Sequence, residues 1–336
     1  MQKIRFGIVG CGKIFDRHAE AIKANSENAE LFAVSDKNME RLEEIKNLYP
    51  TVKTYDSYEA FLNDSDVDMI VICTPSGLHA QMAKAALEKG KHVLCEKPLA
   101  MHPDDLKELN ALAKEKNLHL FEVKQNRYSP AIKILKEALQ QGRLGRILLG
   151  NATVRWNRTE EYYNQADWFG TLKMDGGVIL NQAIHHIDLL CFMMGTPKSV
   201  MGIAEVLNHD IEAPDTALAI VRFEGGSLGN LELTTCAAPT NIEGSITIMG
   251  DKGTIKVGGK SLDNFDIWQV ENYEKPQIPD AQFSNHALLY KDIISLFAGE
   301  NIGNLINAEE ALKSLQLAQA IFDSAKEHRE ININPA

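Results

Sequence analysis

Ile4-Arg5-Phe6-Gly7-Ile8-Val9-Gly10-Cys11-Gly12-Lys13-Ile14-Phe15 is the stretch that decides the fold. Ile4 to Val9 reads as a buried strand. Two glycines follow at once, and a helical pattern runs over 13–24. Strand, Gly-x-Gly turn and helix in that order are the context in which a glycine turn holds a dinucleotide. Gly10 permits the tight turn. Gly12 lets the backbone approach a pyrophosphate, which then rests on the helix N-terminus. Phe15 stands where the usual pattern has a third glycine, a position that serves helix–strand packing rather than phosphate contact.

The pattern continues outward from that turn. A second strand over 31–35 ends at Asp36, where a carboxylate can accept hydrogen bonds from the adenosine ribose and would repel a 2′-phosphate. No arginine follows directly, so the cofactor expected is NAD rather than NADP. Helices over 37–48, 57–62, 79–89 and 104–116 alternate with strands over 67–73, 91–95 and 118–123. Such alternation predicts a doubly wound parallel sheet, whose ligands bind outside the carboxyl ends of the strands. Gly10, Asp36, Thr74 and Glu96-Lys97-Pro98 all fall at those ends. A lysine just past a buried strand and beside a cationic cofactor is a candidate for proton transfer, because its pKa can fall there. Pro98 holds that turn rigid, with the Lys97–Pro98 bond open to either isomer.

Composition sets bounds. The 336 residues fit two domains, with 44% apolar and 24% charged residues and a net charge of -11. That charge disfavours nucleic acid and anionic membrane as partners. No apolar run is long enough to span a bilayer, and the first strand followed at once by a glycine turn is not a signal peptide. A cytoplasmic location is expected. The five cysteines form no Cys-x-x-Cys pair, as suits reduced, buried thiols.

After Val123 the rhythm changes. A helix over 129–141 precedes strands over 146–156, 199–207, 216–223, 226–235, 244–249, 253–257 and 265–270. One helix over 175–194 interrupts them, and helices over 282–298 and 308–327 close the chain. The fold class expected is α/β: an N-terminal Rossmann domain over 1–123, with a doubly wound parallel sheet, and a C-terminal α+β domain over 124–336, with an open, largely antiparallel sheet. On the helix over 175–194, Asn181, His185 and Asp188 are spaced to share one face, and a histidine aligned by polar neighbours suits proton transfer near neutral pH. His185 and His186 point apart, and no third ligand falls at zinc spacing, so no metal is expected. Arg127, Arg155, Arg158 and Lys173, with Tyr163 and Trp168 nearby in sequence, form a candidate anion- and sugar-binding set in an acidic chain.

Taken together, the motifs carry a resemblance. Gly10-x-Gly12 with His18, Thr74-Pro75 with His79, Gly90-Lys91-His92-Val93 leading to Glu96-Lys97-Pro98, and Gly176-Gly177 leading to His185-x-x-Asp188 resemble the Gfo/Idh/MocA oxidoreductase family over essentially the whole chain. The resemblance implies NAD(P)-dependent oxidation or reduction of a sugar or cyclitol carbon. It assigns proton transfer to Lys97 and His185, with Asn181 standing where many members have Asp. Cofactor contacts are expected at Gly10, Gly12, Lys13, Ile14, Asp36, Thr74, Pro75, His79, Glu96, Lys97, Gln125 and Trp168. Substrate contacts are expected at Lys97, Arg127, Arg158, Tyr163, Asn181 and His185. Lys124-Gln125-Asn126-Arg127-Tyr128, Trp168-x-Gly170-Thr171 and Asn181-Gln182 are similar to the nucleotide-sugar branch, although Phe169 stands where Arg is frequent. That branch implies oxidation of UDP-N-acetylglucosaminuronate at C3′, for a 2,3-diamino sugar acid of a surface polysaccharide. It leaves open whether NADH is released or reoxidised in place by a second substrate such as 2-oxoglutarate. A homo-oligomer, dimer or tetramer, formed through the open sheet is implied too. The alternatives are a sugar or inositol dehydrogenase of another branch, an NAD-dependent glycosidase, and a non-catalytic dinucleotide sensor.

Overall fold

The computed structural model describes residues 2–64, 66–259, 261–300, 302 and 305–333. The chain forms two compact units. The first comprises Met1–Ala100, Asp104–Gln125 and Gln282–Glu309.

The sheet of the first unit contains β1 (Ile4–Val9), β2 (Ala29–Ser35), β3 (Lys53–Tyr55), β4 (Met69–Ile72), β5 (His92–Cys95) and β6 (Leu120–Glu122). All pairings are parallel, in the order β3-β2-β1-β4-β5-β6. The order reverses between β1 and β4, which places the switch point where Gly10 and Thr74 leave the sheet. Met69, Ile70, Val71 and Ile72 are all fully buried, as a parallel strand covered on both faces requires. Helices α1 (Phe15–Ala24), α2 (Met39–Leu48), α3 (Tyr58–Asp64), α4 (His79–Glu88) and α5 (Pro103–Glu115) make the connections. In α1 the buried Phe15, Ala19 and Ile22 recur at helical spacing. Asn38 caps α2 by accepting from the Arg41 N–H.

The second unit comprises Met101–Pro103, Asn126–Ala281 and Glu310–Ala336. A single cut after residue 123 is therefore too simple. The chain returns to the first unit with a late helix, Asn285–Phe297, whose Tyr290 ring lies 5.0 Å from Phe6 and whose hydroxyl lies 2.9 Å from His18 Nδ1.

The helices α6 (Pro130–Gln140), α7 (Glu160–Tyr163) and α8 (Ile184–Met194) precede α9, the Asn285–Phe297 helix, and α10 (Ala308–Glu327). The second sheet contains β7 (Ile147–Arg155), β8 (Pro197–Glu205), β9 (Thr216–Phe223), β10 (Leu228–Thr234), β11 (Glu243–Gly250), β12 (Gly253–Gly258), β13 (Asn264–Val270) and β14 (Ile331–Asn332). Their order is β13-β12-β11-β7-β10-β9-β8-β14, antiparallel except for β7 with β10. Helix α8 packs so closely on β7 that a Cβ at Gly150 would come within 2.7 Å of Met194 Sδ. The opposite face stays open: Met201 faces Ile220 and Ile203 faces Leu218 across β8 and β9, and all four are at least half exposed. All five cysteines are free thiols. Among the described residues no helix is long and apolar enough to cross a membrane.

Candidate active site

In the first unit the glycine turn is shaped by close backbone approach. Gly10 has φ +90°, and a Cβ there would lie 2.6 Å from the Cys73 carbonyl oxygen. Gly12 is the opposite case: nothing lies within 4 Å of where its Cβ would be. The helix that follows has no side-chain cap at its N-terminus. Open space beside Gly12 and an uncapped helix start fit a pyrophosphate. Next to them lies a cavity of about 440 Å³ lined by Cys11, Gly12, Lys13, Asp16, Asp36, Asn38 and Arg41. Asp36 accepts from the Cys11 N–H at 2.6 Å and the Asn38 N–H at 2.8 Å, which fixes its carboxylate at the cavity wall. Arg41 donates to the Cys11 carbonyl, Asp16 and Glu44, and its guanidinium lies 5.5 Å from the Phe15 ring centroid. Sequence reading missed Arg41. Its position one turn into the helix after Asp36 was the available signal.

The turns after β4 and β5 are tied together. Lys97–Pro98 is a cis peptide bond. His79, expected at the cofactor, instead has both ring nitrogens on carbonyl oxygens, 2.7 Å from Pro98 O and 2.7 Å from Thr74 O. It is buried, and it holds the Thr74 turn against the Lys97 turn. Burial works to raise the Glu96 pKa, but the hydrogen bond and charge of His18, at 3.0 Å, hold it down to about 2. Its other oxygen accepts from the Lys97 N–H at 3.2 Å. Glu122 accepts from the Leu99 N–H and pairs with the buried Lys124 at 3.2 Å. Lys97 thus stands on a turn braced on both sides by buried charge.

In the second unit the helix over 175–194 is not one helix. Val178–Gln182 forms a π turn, and a regular helix starts at Ile184. The wider turn breaks the shared face expected for Asn181, His185 and Asp188. Asp188 pairs with Arg127 at 2.7 and 2.8 Å. The Arg127 guanidinium is buried, lies 3.5 Å from Glu310, and sits 4.3 Å from the Phe192 ring centroid. Its fork is therefore occupied internally, not open to substrate as expected. Asn181 donates its amide to Asp175. His185 lies buried in the first turn of α8.

Arg158 and the exposed Lys173 are the cations of the expected set that no carboxylate claims among the described residues, and Arg158 is the one held in place. It donates to Gln182 Oε1 at 2.9 Å and to the Asn157 carbonyl at 2.8 Å, with Trp156 and Tyr162 rings at 5.1 and 5.0 Å. Gln182 is adjacent to Asn181, so Arg158 and the π turn are one connected arrangement. Tyr163, expected as a sugar wall, sits in the core: its hydroxyl lies 3.1 Å from Thr235 Oγ1, and burial pushes its pKa up to about 12. Its neighbour Tyr162 is the half-buried ring, stacked on Phe169 with centroids 5.0 Å apart and hydrogen-bonded from Gln182. Trp168 packs edge-on against the same Phe169. Arg155 is spent on Glu232 and Glu243 in the sheet, and Lys173 is exposed.

Among the described residues two trios of possible metal donors occur, His18–Glu96–His286 and His209–Asp215–Cys236. His18 is already hydrogen-bonded to Glu96 and Tyr290, and His209 to Asp215 and the Arg158 carbonyl.

Two family models match this chain. Residues 4–123 match the oxidoreductase family, NAD-binding Rossmann fold, and residues 132–256 match the GFO/IDH/MocA C-terminal domain. A WlbA dehydrogenase from Bordetella pertussis, solved with NADH and UDP-GlcNAcA, is 37% identical, covers 99% of both chains and superposes with a TM-score of 0.92. The WlbA dehydrogenase from Chromobacterium violaceum, with the same ligands, is 36% identical over 100% of this chain and 97% of its own, with a TM-score of 0.94. Inositol 2-dehydrogenase from Rhizobium meliloti is 27% identical over 98% of this chain and 99% of its own.

Proposed function

The chain belongs to the Gfo/Idh/MocA oxidoreductase family, with an NAD-binding Rossmann domain, and from that premise we propose that it oxidises the C3′ hydroxyl of UDP-N-acetylglucosaminuronate to the 3-keto sugar acid. Arg158 carries this reading. A guanidinium with no carboxylate partner, held by Gln182 and flanked by two aromatic rings, suits a nucleotide sugar acid, which brings both carboxylate and diphosphate. The WlbA enzymes, similar over the full length of the chain, were solved with that nucleotide sugar. A neutral polyol such as inositol gives Arg158 no anion to pair with. The 27% identity to an inositol 2-dehydrogenase makes a polyol the second reading.

When bound, NAD supplies an acceptor for the carbon-bound hydride at nicotinamide C4. Gly10, Gly12, Lys13, Ile14 and Asp36 hold its adenosine and pyrophosphate parts in this proposal, and Arg41 joins them. Thr74, Pro75, Glu96, Gln125 and Trp168 serve its nicotinamide half. Lys97 and His185 are the proposed acceptors of the hydroxyl proton, and Asn181 orients the hydroxyl. Tyr162, rather than Tyr163, forms the sugar wall. Arg127 braces α8 from behind through Asp188. The enzyme is cytoplasmic and feeds synthesis of a 2,3-diamino sugar acid for a surface polysaccharide, with 2-oxoglutarate as the second substrate that reoxidises NADH. A homo-oligomer forms through the Met201, Ile203, Leu218 and Ile220 face. The test is turnover on a panel of UDP-N-acetylglucosaminuronate, UDP-N-acetylglucosamine and myo-inositol. The charged nucleotide sugar should give the highest kcat/KM, and a preference for inositol overturns the assignment.

A further inference from the structure

Asp175 is buried, 1% exposed, and directly precedes the glycine pair that opens the π turn. One of its oxygens accepts from the Gly177 N–H at 3.1 Å, and the other accepts from Asn181 Nδ2. Gly177 itself is forced: its φ is +60°, and a Cβ would lie 2.4 Å from the Pro214 carbonyl oxygen. Val178 N–H donates to that same carbonyl at 2.8 Å. The segment from Asp175 to Asn181 is thus fixed at both its backbone and its side chains.

A carboxylate only accepts hydrogen bonds. Whichever end of the Asn181 amide faces Asp175 must therefore be the NH₂ end, a choice set by chemistry rather than by the similar shapes of oxygen and nitrogen. The carbonyl oxygen is therefore the end turned away from Asp175. We propose that Asp175 is a positioning residue for Asn181: it locks the amide so that position 181 offers a neutral, fixed acceptor beside the helix that bears His185. This deepens the proposed dehydrogenase reading and rests on it for the reaction concerned. A fixed amide oxygen accepts the hydrogen bond of a sugar hydroxyl and orients it, but it cannot take the proton. The proton therefore has to leave to another group, and the charge at this site stays on Asp175, one hydrogen bond away from position 181.

The arrangement predicts a compensating exchange. Asn181→Asp alone sets a half-buried carboxylate against the buried Asp175, so one of the two holds a proton and its pKa rises above the ordinary carboxylate value. A group whose folded-state pKa is raised stabilises below its unfolded pKa and loses that stability as pH rises through the folded pKa. The thermal midpoint of Asn181→Asp should therefore drop between pH 4 and 8 relative to the parent protein. Asp175→Asn leaves two amides, either of which can face either way. Its kcat should fall on the order of tenfold to a hundredfold, with NADH affinity unchanged. The double variant D175N/N181D restores one carboxylate against one amide. It should recover the parent's thermal pH profile and most of the kcat lost by D175N.

Thermal unfolding of the three variants across pH needs no substrate, so it decides the carboxylate–amide contact even if UDP-N-acetylglucosaminuronate proves not to be turned over. Absence of turnover by the parent protein defeats the proposed function alone. A flat pH profile for N181D overturns the contact. A folded D175N with parental kcat, or a double variant that regains stability but stays as slow as D175N, overturns the positioning role.

Discussion

Arg158 Nε donates to Gln182 Oε1 at 2.9 Å, and the same Gln182 donates through Nε2 to the Tyr162 hydroxyl at 2.8 Å. One amide thus aims a guanidinium and an aromatic ring together. Charge-assisted hydrogen bonds contribute about 1.5–3 kcal/mol, so Arg158→Ala should raise KM for the nucleotide sugar by roughly one to two powers of ten. NADH affinity, measured by fluorescence titration, should not move. An unchanged KM would remove Arg158 from the substrate site.

The two proposed proton acceptors can be separated from cofactor binding. Lys97→Ala and His185→Ala should each bind NADH normally and lose turnover by about 10²–10⁴-fold, the usual range for general acid–base groups. Whichever variant keeps near-parental kcat is not a proton acceptor.

Gly10 and Gly12 fail differently when a methyl is added. Gly10→Ala meets the Cys73 carbonyl at 2.6 Å in a left-handed backbone, so it should lower the unfolding temperature and NADH binding together. Gly12→Val fills open space, so it should leave the unfolding temperature alone and weaken NADH. Calorimetry with and without NADH checks both. Equal destabilisation by the two would contradict the geometry.

His186 is buried, and neither ring nitrogen has a hydrogen-bond partner among the described residues. Burial lowers its pKa from 6.5 to about 4. As pH falls, the unfolded chain takes up this proton before the folded one does. The stability is full above pH 6.5 and is lost between 6.5 and 4. At 1.36 kcal/mol per unit the loss reaches about 3 kcal/mol at most for this one group. His286, lowered to about 4 chiefly by burial, adds in the same window. His186→Phe should flatten the fall of unfolding temperature over that range, and a profile identical to the parent's would contradict the assignment.

The open face of the second sheet pairs Met201 with Ile220 and Ile203 with Leu218. A single Ile220→Lys should convert the proposed oligomer to smaller species by light scattering while leaving the unfolding temperature of the subunit fold intact. A parent protein that is already monomeric would contradict the proposed interface.

What could be read from the sequence, and what could not, divides along physical lines. The parallel sheet was legible because strands such as Met69–Ile72 are apolar throughout, and the Gly10 turn because its residue type follows from the backbone it must adopt. The second sheet was legible from a series of strand-like runs, such as 216–223, with few helices between them. The π turn was not, since one extra residue in a helical turn leaves no mark on hydrophobic spacing. It separates Asn181 from Asp188, and the pairs Asn181–Asp175 and Asp188–Arg127 replace the single expected face. The burial of Tyr163 was not legible for a related reason: in the short helix Glu160–Tyr163, which adjacent ring turns inward depends on Thr235, a contact 72 residues away. The return of α9 to the first unit rests on Tyr290 meeting His18 and Phe6, which no local pattern announces.

The most direct test of the proposed activity is to incubate the purified protein with UDP-N-acetylglucosaminuronate and 2-oxoglutarate, with added NAD, and to weigh the products by mass spectrometry. Loss of two hydrogens from the nucleotide sugar, with 2-hydroxyglutarate formed in equal amount, is the predicted result. An unchanged nucleotide sugar beside oxidised myo-inositol in the parallel reaction would contradict it and move the protein to the polyol branch of its family.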